Sequence, residues 1–250
     1  MRLDKFLFEK GIIESRNKAS FAITNGEIFV NGKSVTKNSF DVSETDTIEW
    51  KQKENFVSKG GFKLNKAFND FGITVNGLIA CDVGASTGGF TDVLLKNGAK
   101  KVYAVDVSDG LLHDSLKNDP RVFPLIKNVK DLKKEDFDEE IDFITADLSF
   151  ISETVTLPVL KSILKPDGEM IILIKPQFEM QEKRRFKNGI VNDEKAIRSA
   201  VINVVDHAEK MGFTLKSITN APKIDGKNRE YLAYFKNGFY ERFDLNTFKF

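Results

Sequence analysis

From residue 78 onward, short apolar segments alternate with longer segments in which apolar residues recur every three or four positions. Strands are predicted for residues 78–83, 101–107, 122–127, 141–147, 169–175, 214–219 and 231–235, and helices near residues 88–97, 152–164 and 193–211. Strands that alternate with helices favour a mostly parallel sheet with right-handed crossovers. The sequence therefore predicts an α/β fold of the doubly wound, Rossmann-like class.

A smaller unit with a different pattern precedes this region. Two segments with helical spacing, residues 3–10 and 15–25, are followed by two short apolar segments that flank Asn31-Gly32. That dipeptide is typical of the type I′ turn of a β-hairpin. Residues 46–50 add a closing strand. We therefore expect a small α+β domain at the N-terminus.

Composition marks the boundaries between these parts. Residues 51–60 are polar and lack periodicity, which is typical of a linker, and a helix is predicted from residue 62 to residue 71. The sequence predicts a small domain at 1–50, a linker at 51–60, an α/β domain at 61–236 and an aromatic-rich tail, without an assigned role, at 237–250.

Charge and cysteine content exclude several classes of protein. The net charge is +1, so the total charge favours no nucleic-acid partner, and any RNA-binding surface must be local. Cys81 is the single cysteine, which excludes an internal disulfide and fits a reducing cytoplasm. The charged N-terminus is unlike a signal peptide, and no apolar run is long enough to span a bilayer. His113 and His207 are isolated, so we expect no metal site. Together, these features predict a cytoplasmic protein without a membrane partner.

The first strand of the α/β domain leads into a glycine-rich turn, DVGASTGGF, at residues 82–90. Gly84 allows the chain to turn tightly, and Gly88 and Gly89 are expected to let a ligand approach the backbone. The next strand ends at Asp106, where a carboxylate can accept both hydroxyls of a ribose. These features predict a nucleotide-like cofactor; a turn that serves only packing is the plain alternative.

The glycine spacing distinguishes between cofactors. Residues 84–89 are GASTGG, not G-x-G-x-x-G, which weakens a nicotinamide interpretation because the pyrophosphate needs the second glycine. S-adenosylmethionine has no pyrophosphate, and Asp82 could bind its ammonium directly or through a water. We therefore predict S-adenosylmethionine as the cofactor. Its predicted binding residues are Asp82, Gly84, Ser86, Gly88, Gly89, Phe90, Asp106, Val107, Asn128 and Asp147.

Charged residues stand at several ends of the predicted strands. Asp147 ends the fourth strand and Lys175 ends the fifth, and the carboxyl ends of such strands form the ligand-facing edge of an α/β sheet. Lys63 lies on a helix that leads to the same edge, and Glu230 precedes the last strand. Each residue alone fits a surface charge, but together they predict one cleft.

The residues present also indicate which kind of atom would accept a methyl group. Cytosine C5 methylation needs a cysteine nucleophile, and Cys81 lies inside a strand. Amine methylation usually uses an Asn/Asp-Pro-Pro-aromatic turn, but the fourth strand ends ADLSF, without proline. Methylation of a hydroxyl needs a group that removes or orients a proton, and a lysine can do this. Lys63 would favour proton loss from Lys175 and Asp147 would oppose it, so Lys175 remains either a base or an orienting group.

The N-terminal segments RLDKFL, SRNKA and GEIFVNGK resemble the RNA-binding fold, or αL motif, of a bacterial small-subunit ribosomal protein. The same fold recurs in pseudouridine synthases and tyrosyl-tRNA synthetases. The resemblance implies that Arg2, Lys5, Arg16 and Lys18 bind RNA phosphates. Solvated surface charges are the plain alternative.

The segments VSKGGFKL, DVGASTGGFTDVLL, VYAVDV, ADLSFIS, IKPQFE and NREYL resemble the FtsJ-type ribose 2′-O-methyltransferases. The whole chain is similar to the TlyA family, which joins such a domain to the RNA-binding module. The resemblance implies a catalytic Lys63, Asp147, Lys175 and Glu230, and 2′-O-methylation of cytidine in the ribosomal RNA of ribosomal subunits. Lys59, also a candidate RNA contact, stands where the family usually has arginine, which argues against a bidentate contact.

Two other functions remain as alternatives. A ribosome assembly factor would bind the cofactor without turnover, although the presence of all four charged residue types argues against it. A membrane-active haemolysin is suggested by the label that proteins of this family often carry. The sequence contains neither a spanning segment nor a long cationic amphipathic helix that would support it.

Overall fold

The structure of the protein, a computed structural model, describes residues 1–51, 56–180, 189–222 and 227–250. The chain divides into two compact units, Met1–Asn55 and Phe56–Phe250. Each unit contains its own cluster or clusters of buried apolar side chains. Within the described residues, no helix is both long and apolar enough to cross a membrane.

The N-terminal unit contains two helices and a three-stranded sheet of order β2-β1-β3. Its elements are α1 (Leu3–Glu9), α2 (Arg16–Thr24), β1 (Ile28–Val30), β2 (Lys33–Ser34) and β3 (Ile48–Trp50). Ser15 caps α2, because its Oγ accepts a hydrogen bond from the Lys18 amide at 3.2 Å. Asn31 and Gly32 both have positive φ, and Val30 pairs with Lys33, so the predicted type I′ hairpin is confirmed.

Helix α3 (Lys59–Phe71) begins three residues before the predicted start at residue 62. The last residues of the predicted linker are therefore helical, whereas its residues 52–55 lie outside the described residues. Glycines weaken a helix locally, which explains why the helix was predicted to begin too far along the chain. The structure gives a packing reason for Gly61, because a Cβ there would lie 2.3 Å from Phe56 Cβ.

The larger unit is built on a seven-stranded sheet of order β6-β5-β4-β7-β8-β10-β9. Its strands are β4 (Ile79–Val83), β5 (Lys101–Asp106), β6 (Val122–Ile126), β7 (Ile141–Ala146), β8 (Leu164–Ile174), β9 (Phe213–Asn220) and β10 (Tyr231–Asn237). The first five are parallel, and β10 is antiparallel to both of its neighbours. The predicted mostly parallel α/β sheet is confirmed.

Helices cover both faces of this sheet. They are α3, α4 (Gly89–Lys96), α5 (Asp114–Lys117), α6 (Glu153–Ile163), α7 (Pro176–Glu179) and α8 (Glu194–Lys210). Successive strand residues point to opposite faces, so Cys81 and Ile144 pack with α6 and α8, whereas Ala80 and Phe143 pack with α3 and α4. The short helices α5 and α7 were not predicted, since four residues are too few to show a period.

The C-terminal tail folds back over the larger unit. The Phe243 amide donates to Leu215 O in β9 at 2.8 Å, and a 3₁₀-helix follows at Leu245–Thr247. The rings of Phe248 and Phe250 then lie 6.1 and 5.7 Å from the ring of Tyr231. The tail, which the sequence left without a role, thus covers part of the core beside β9 and β10.

The sheet topology brings distant parts of the chain to one edge. Strands β4, β7 and β8 are parallel neighbours, so their carboxyl ends lie together. Strand β10 runs the other way, with Tyr231 opposite Ile174, and therefore begins at this same edge. The residues just after β7 and β8 and just before β10 consequently lie close together.

Candidate active site

Four charged side chains meet at this edge of the sheet, and we call Lys63, Asp147, Lys175 and Glu230 the tetrad. Lys63 Nζ lies 2.6 Å from Glu230 Oε2 and 3.8 Å from Asp147 Oδ2. Lys175 Nζ lies 2.6 Å from the other carboxylate oxygen of Asp147, Oδ1. Asp147 therefore lies between the two lysines. The structure brings together all four residues for which the sequence predicted one cleft.

Lys175 is 7% exposed, and the sequence around it explains its position. It follows β8 directly and precedes Pro176, and a residue before proline favours extended backbone. Its Nζ donates to Ser149 Oγ at 2.8 Å in addition to its contact with Asp147. Both partners lie in the loop that follows β7. Three positions around Nζ can form hydrogen bonds, and partners among the described residues occupy two of them, which leaves one for a third group.

Two cavities adjoin the tetrad. The larger, of about 500 Å³, is lined by residues that include Gly84, Ser86, Asp106, Val107, Asn128 and Asp147. The smaller, of about 300 Å³, is lined by residues that include Lys59, Lys63, Gly89, Phe90, Asp147 and Lys175. Gly84, Ser86, Asp147 and Ser149 line both. A ligand of the size of a nucleoside cofactor fits the larger cavity and would then lie next to the tetrad.

Asp106 and Asn128 occupy the wall of the larger cavity at the ends of β5 and β6. The Asp106 carboxylate accepts hydrogen bonds from the amides of Ser86 and Ser108, at 2.9 and 3.0 Å. Asn128 Oδ1 accepts from the Lys130 amide at 3.0 Å. Each carboxylate oxygen has a second lone pair, so Asp106 can still accept hydrogen bonds from a ligand.

The structure gives packing reasons for the three glycines of the turn. Gly84 has φ +85°, and a Cβ there would lie 2.6 Å from Asp147 O, so the turn requires glycine. A Cβ at Gly88 would lie 2.2 Å from Leu116 Cδ1, and one at Gly89 would lie 2.2 Å from Ser58 Oγ. Packing therefore explains why residues 88 and 89 are glycines, and the approach of a ligand to their backbone stays a prediction.

Asp82 also differs from the prediction. Its side chain is fully buried, and its carboxylate accepts hydrogen bonds from Thr91 Oγ1 at 2.7 Å and Thr145 Oγ1 at 2.9 Å. Burial raises the pKa of Asp82 to about 6. The geometry joins β4 to α4 and β7, and it does not support a contact between Asp82 and the cofactor ammonium.

Sequence reasoning missed two buried carboxyls beside the tetrad. Glu153, at the start of α6, accepts a hydrogen bond from Thr156 Oγ1 at 2.8 Å. Burial raises the pKa of Glu153 to about 8, and the nearby charges of Glu179 and Asp147 add to this effect. Burial also raises the pKa of Glu179, the last residue of α7. The sequence signal for Glu179 was its place at the end of IKPQFE, the segment that also contains Lys175.

A third missed feature is an aromatic pair in which Phe150 lines the larger cavity. Phe150 is 91% exposed and has φ +65°, a left-handed conformation that a bulky side chain rarely adopts. Its ring lies 5.2 Å from the ring of Phe178. Strained backbone of this kind concentrates at functional sites. The only sequence signal for this pair was the aromatic residue that follows ADLS.

The predicted RNA-binding side chains of the N-terminal unit all form ion pairs. Arg2 and Arg16 both contact Asp4, at 3.0 and 2.7 Å, and together they lower the pKa of Asp4 to about 2. Lys5 pairs with Glu9 at 3.4 Å, and Lys18 pairs with Glu14. These basic side chains are about half exposed or more. The Lys5 and Lys18 pairs are exposed on both sides and contribute only about 0–1 kcal/mol, so a phosphate can replace their acidic partners. Asp4 is buried, so Arg2 and Arg16 would keep it and bind a phosphate through their other N–H groups.

The raised pKa of Glu153 predicts how stability depends on pH. Between pH 4.5 and about 8, the folded protein keeps a proton on Glu153 that the unfolded chain has lost, so its stability falls as pH rises. Glu153→Gln cannot ionise and still offers an oxygen to Thr156. The variant should gain stability over wild type across this window, on the order of 4 kcal/mol in total, in urea unfolding at a series of pH values.

A matched control is the exposed Glu135, whose replacement by glutamine should leave the pH dependence of wild type unchanged. Parallel pH profiles for wild type and Glu153→Gln would contradict the assignment.

Comparison with known proteins agrees with both units. Residues 1–48 match the S4 domain, and residues 56–237 match the FtsJ-like methyltransferase family. The chain is 44% identical to "Hemolysin A" of Brachyspira hyodysenteriae, over 94% of this chain and 99% of that protein. It is 37% identical to "16S/23S rRNA (cytidine-2′-O)-methyltransferase TlyA" of Mycobacterium tuberculosis (strain ATCC 25618 / H37Rv), over 94% and 89%.

Solved structures give the same result. A Streptococcus thermophilus protein that carries the name hemolysin has a TM-score of 0.74 and 35% identity, covering 99% of this chain and 92% of that one. An S-adenosylmethionine-dependent methyltransferase from Mesorhizobium loti, 14% identical with a TM-score of 0.52 over 68% of this chain and 96% of that one, shares the fold. The chain therefore belongs to the TlyA family of FtsJ-like methyltransferases with an N-terminal S4 domain.

Proposed function

We propose that this protein transfers the methyl group of S-adenosylmethionine to a ribose 2′-hydroxyl of ribosomal RNA. The observation that carries the proposal is the tetrad, with Asp147 between two lysines beside the larger cavity. A hydroxyl oxygen must lose its proton when it takes up a methyl group. A buried lysine held next to the cavity is suited to receive or orient that hydroxyl.

The names of two relatives support a specific acceptor. The Mycobacterium tuberculosis relative is named a 16S/23S rRNA (cytidine-2′-O)-methyltransferase, and the Campylobacter jejuni relative, 35% identical over 94% of this chain, a 23S rRNA (cytidine-2′-O)-methyltransferase. We infer that the acceptor here is also a cytidine, presented by a ribosomal subunit in the cytoplasm.

The larger cavity fits S-adenosylmethionine by its chemistry. Asp106 offers carboxylate oxygens for the two ribose hydroxyls, at the strand end where such cofactors are held. Val107 and Asn128 are candidates to contact the adenine, and the turn at Gly84 and Ser86 closes the side toward the tetrad. When bound, the cofactor supplies an electrophilic methyl group on a sulfonium.

Lys175 is the residue we assign to the acceptor hydroxyl. Asp147 and Ser149 take two positions around its Nζ, so the third is available to the 2′-oxygen. As an amine, Lys175 accepts the hydroxyl proton; as an ammonium, it donates to the oxygen and steadies the negative charge that develops there. In both cases the 2′-oxygen gains the methyl group. Its proton goes to Lys175 in the first case and to solvent in the second. Lys63, which is paired with Glu230, contacts Asp147 from the other side.

Phe150 and Phe178 support an RNA substrate. Nucleic-acid bases stack on exposed aromatic rings with about 1–3 kcal/mol per base. The exposed Phe150 lines the cavity that Asp147 and Ser149 also line. A base stacked there would place its own ribose near the tetrad. The S4 domain is the second RNA contact we propose, through Arg2, Lys5, Arg16 and Lys18, with Lys59 at the edge of the smaller cavity.

Asp106→Ala should weaken binding of S-adenosylhomocysteine by roughly 1–3 kcal/mol, because the ribose hydroxyls lose their charged acceptor. Isothermal calorimetry measures this change. Asp119→Ala is the matched control, since Asp119 lies before β6 at the opposite edge of the sheet, and its affinity should equal that of wild type. Equal affinity for wild type and Asp106→Ala would remove Asp106 from the site.

Lys175→Ala should lower turnover by about 10²–10⁴-fold while cofactor affinity stays the same, because Lys175 contacts the acceptor. Labelled cofactor, intact ribosomal subunits and mass spectrometry of the nucleosides give both the rate and the position of the methyl group. Lys175→Arg should restore part of the rate only if Lys175 acts as an orienting cation, since a guanidinium stays protonated.

Lys236→Ala is the control for a lysine in the same sheet, because Lys236 pairs with Glu169 at the far end of β10. It should keep the wild-type rate. Near-normal methylation by Lys175→Ala would refute the assignment, and a methyl group on a base would refute the reaction class. A wild type that binds cofactor and subunits without turnover would favour the assembly factor.

The double variant Arg16→Gln, Lys18→Gln should weaken RNA binding and flatten its dependence on salt, by about one unit of slope per lost phosphate contact. Filter binding at several salt concentrations measures the slope. Lys100→Gln removes an exposed lysine at the opposite edge of the large sheet and should leave the slope unchanged. An unchanged slope in the double variant would mean that these are solvated charges.

A further inference from the structure

Glu179 forms a bridge between two loops of the candidate active site. It is the last residue of α7, it is buried, and both of its carboxylate oxygens accept hydrogen bonds. Oε2 accepts from Ser152 Oγ at 2.5 Å, and Oε1 accepts from the Glu153 amide at 2.9 Å. Both donors belong to the N-terminus of α6, 26 and 27 residues earlier in the chain. The bridge is therefore a tertiary contact.

The two segments joined by this bridge also contain the Lys175 contact. Residues 147–152 form the loop from β7 to α6, and they include Asp147 and Ser149, the partners of Lys175. Residues 175–179 form the turn from β8 through α7. Lys175 opens this turn and Glu179 closes it. One side chain at each end of a five-residue turn thus crosses to the same neighbouring loop.

Helix α7 cannot fix this geometry without such contacts. It has only four residues, and a helix this short has no stability of its own. Within the turn, the Phe178 amide donates to Lys175 O at 2.9 Å. Tertiary contacts must therefore determine the direction in which Lys175 projects. The Glu179 carboxylate supplies two of them.

A simple helix cap is the plain explanation of Glu179, and two observations argue against it. The N-terminus of α6 already has a local cap, because Ser152 Oγ accepts from the Thr154 amide at 3.2 Å. Burying Glu179 also has a cost, since it lies near Glu153, a second buried carboxyl, and burial raises the pKa of both. Two buried carboxyls side by side exceed what capping one helix needs.

We propose that Glu179 is a positioning residue for methyl transfer: it ties the Lys175 turn to the Asp147 loop and so sets where Lys175 Nζ meets the acceptor hydroxyl. This inference rests on the proposed function. Glu179 acts through Lys175 and does not itself touch the substrate. Its effect comes from its two hydrogen bonds, so an uncharged side chain of the same length that forms both can replace it.

The test compares Glu179→Ala and Glu179→Gln in the full-length protein, with labelled S-adenosylmethionine and ribosomal subunits. Glu179→Ala should lower kcat by about 10–100-fold, the effect of a small displacement of a reacting group, with little change in KM for RNA or in cofactor affinity. Glu179→Gln keeps an oxygen for the Glu153 amide and an amide for Ser152 Oγ. It should retain kcat within about threefold of wild type.

Asp142→Ala is the matched control. The Asp142 carboxylate accepts a hydrogen bond from the Ile79 amide at 2.8 Å and so joins two segments in the same way, at the opposite edge of the sheet. It should lower the unfolding midpoint without lowering kcat. If Glu179→Ala does not fold, Ser152→Ala removes one of the two bonds and should lower kcat by a smaller factor.

The outcomes separate the inference from the proposed function. Wild-type kcat in Glu179→Ala, or in Ser152→Ala where that variant stands in, would overturn the positioning role alone. An equal loss of kcat in Asp142→Ala would also overturn it, because the effect would then be one of stability. A folded wild type that transfers no methyl group to ribosomal RNA would overturn the proposed function, and the positioning role with it.

Discussion

The carboxylate of Asp147 is the contact on which the candidate site depends. One of its oxygens lies 2.6 Å from Lys175 and the other 3.8 Å from Lys63, so the two cations are held apart by one anion. The Asp147 amide donates to Val83 O at 3.1 Å, which extends the pairing of β7 with β4. The sheet itself therefore fixes this residue. The same backbone leaves no room for a Cβ at Gly84, so the cofactor turn and the tetrad are built on one contact.

Much of the fold could be predicted because its signals are local. Apolar runs bounded by polar residues identified every strand of the large sheet, and Asn31-Gly32 identified the hairpin turn. The tetrad followed from strand ends, since the edge of a parallel sheet gathers them. Helix α3 was predicted to begin too late because Gly60 and Gly61 weaken a helix locally, while the packing that favours them lies elsewhere in the chain.

What the sequence could not supply was the partner of each buried polar group. Asp82 looked like a cofactor ligand, but Thr91 and Thr145 hold its carboxylate inside the sheet. Glu153 lay in a predicted helix and Glu179 in no predicted element, and nothing in the sequence indicated that both are buried. These environments depend on contacts between segments far apart in sequence. The three carboxyls lie at the edge of the sheet that holds the tetrad, and burial raises the pKa of each. Burying these groups costs stability at the place where we propose that the chemistry occurs.

The position of β10 inside the sheet has a consequence for the order in which the molecule forms. Strand β9 pairs with β10 and not with β8, although it is made before β10. Strands β4 to β8 can therefore pair with one another before β9 has its partner strand. On a ribosome, the segment that contains Gly84, Asp106 and Asn128 emerges early, whereas Glu230 emerges just ahead of the strand that completes the sheet. A nascent chain would thus acquire its cofactor cleft well before it has a complete tetrad.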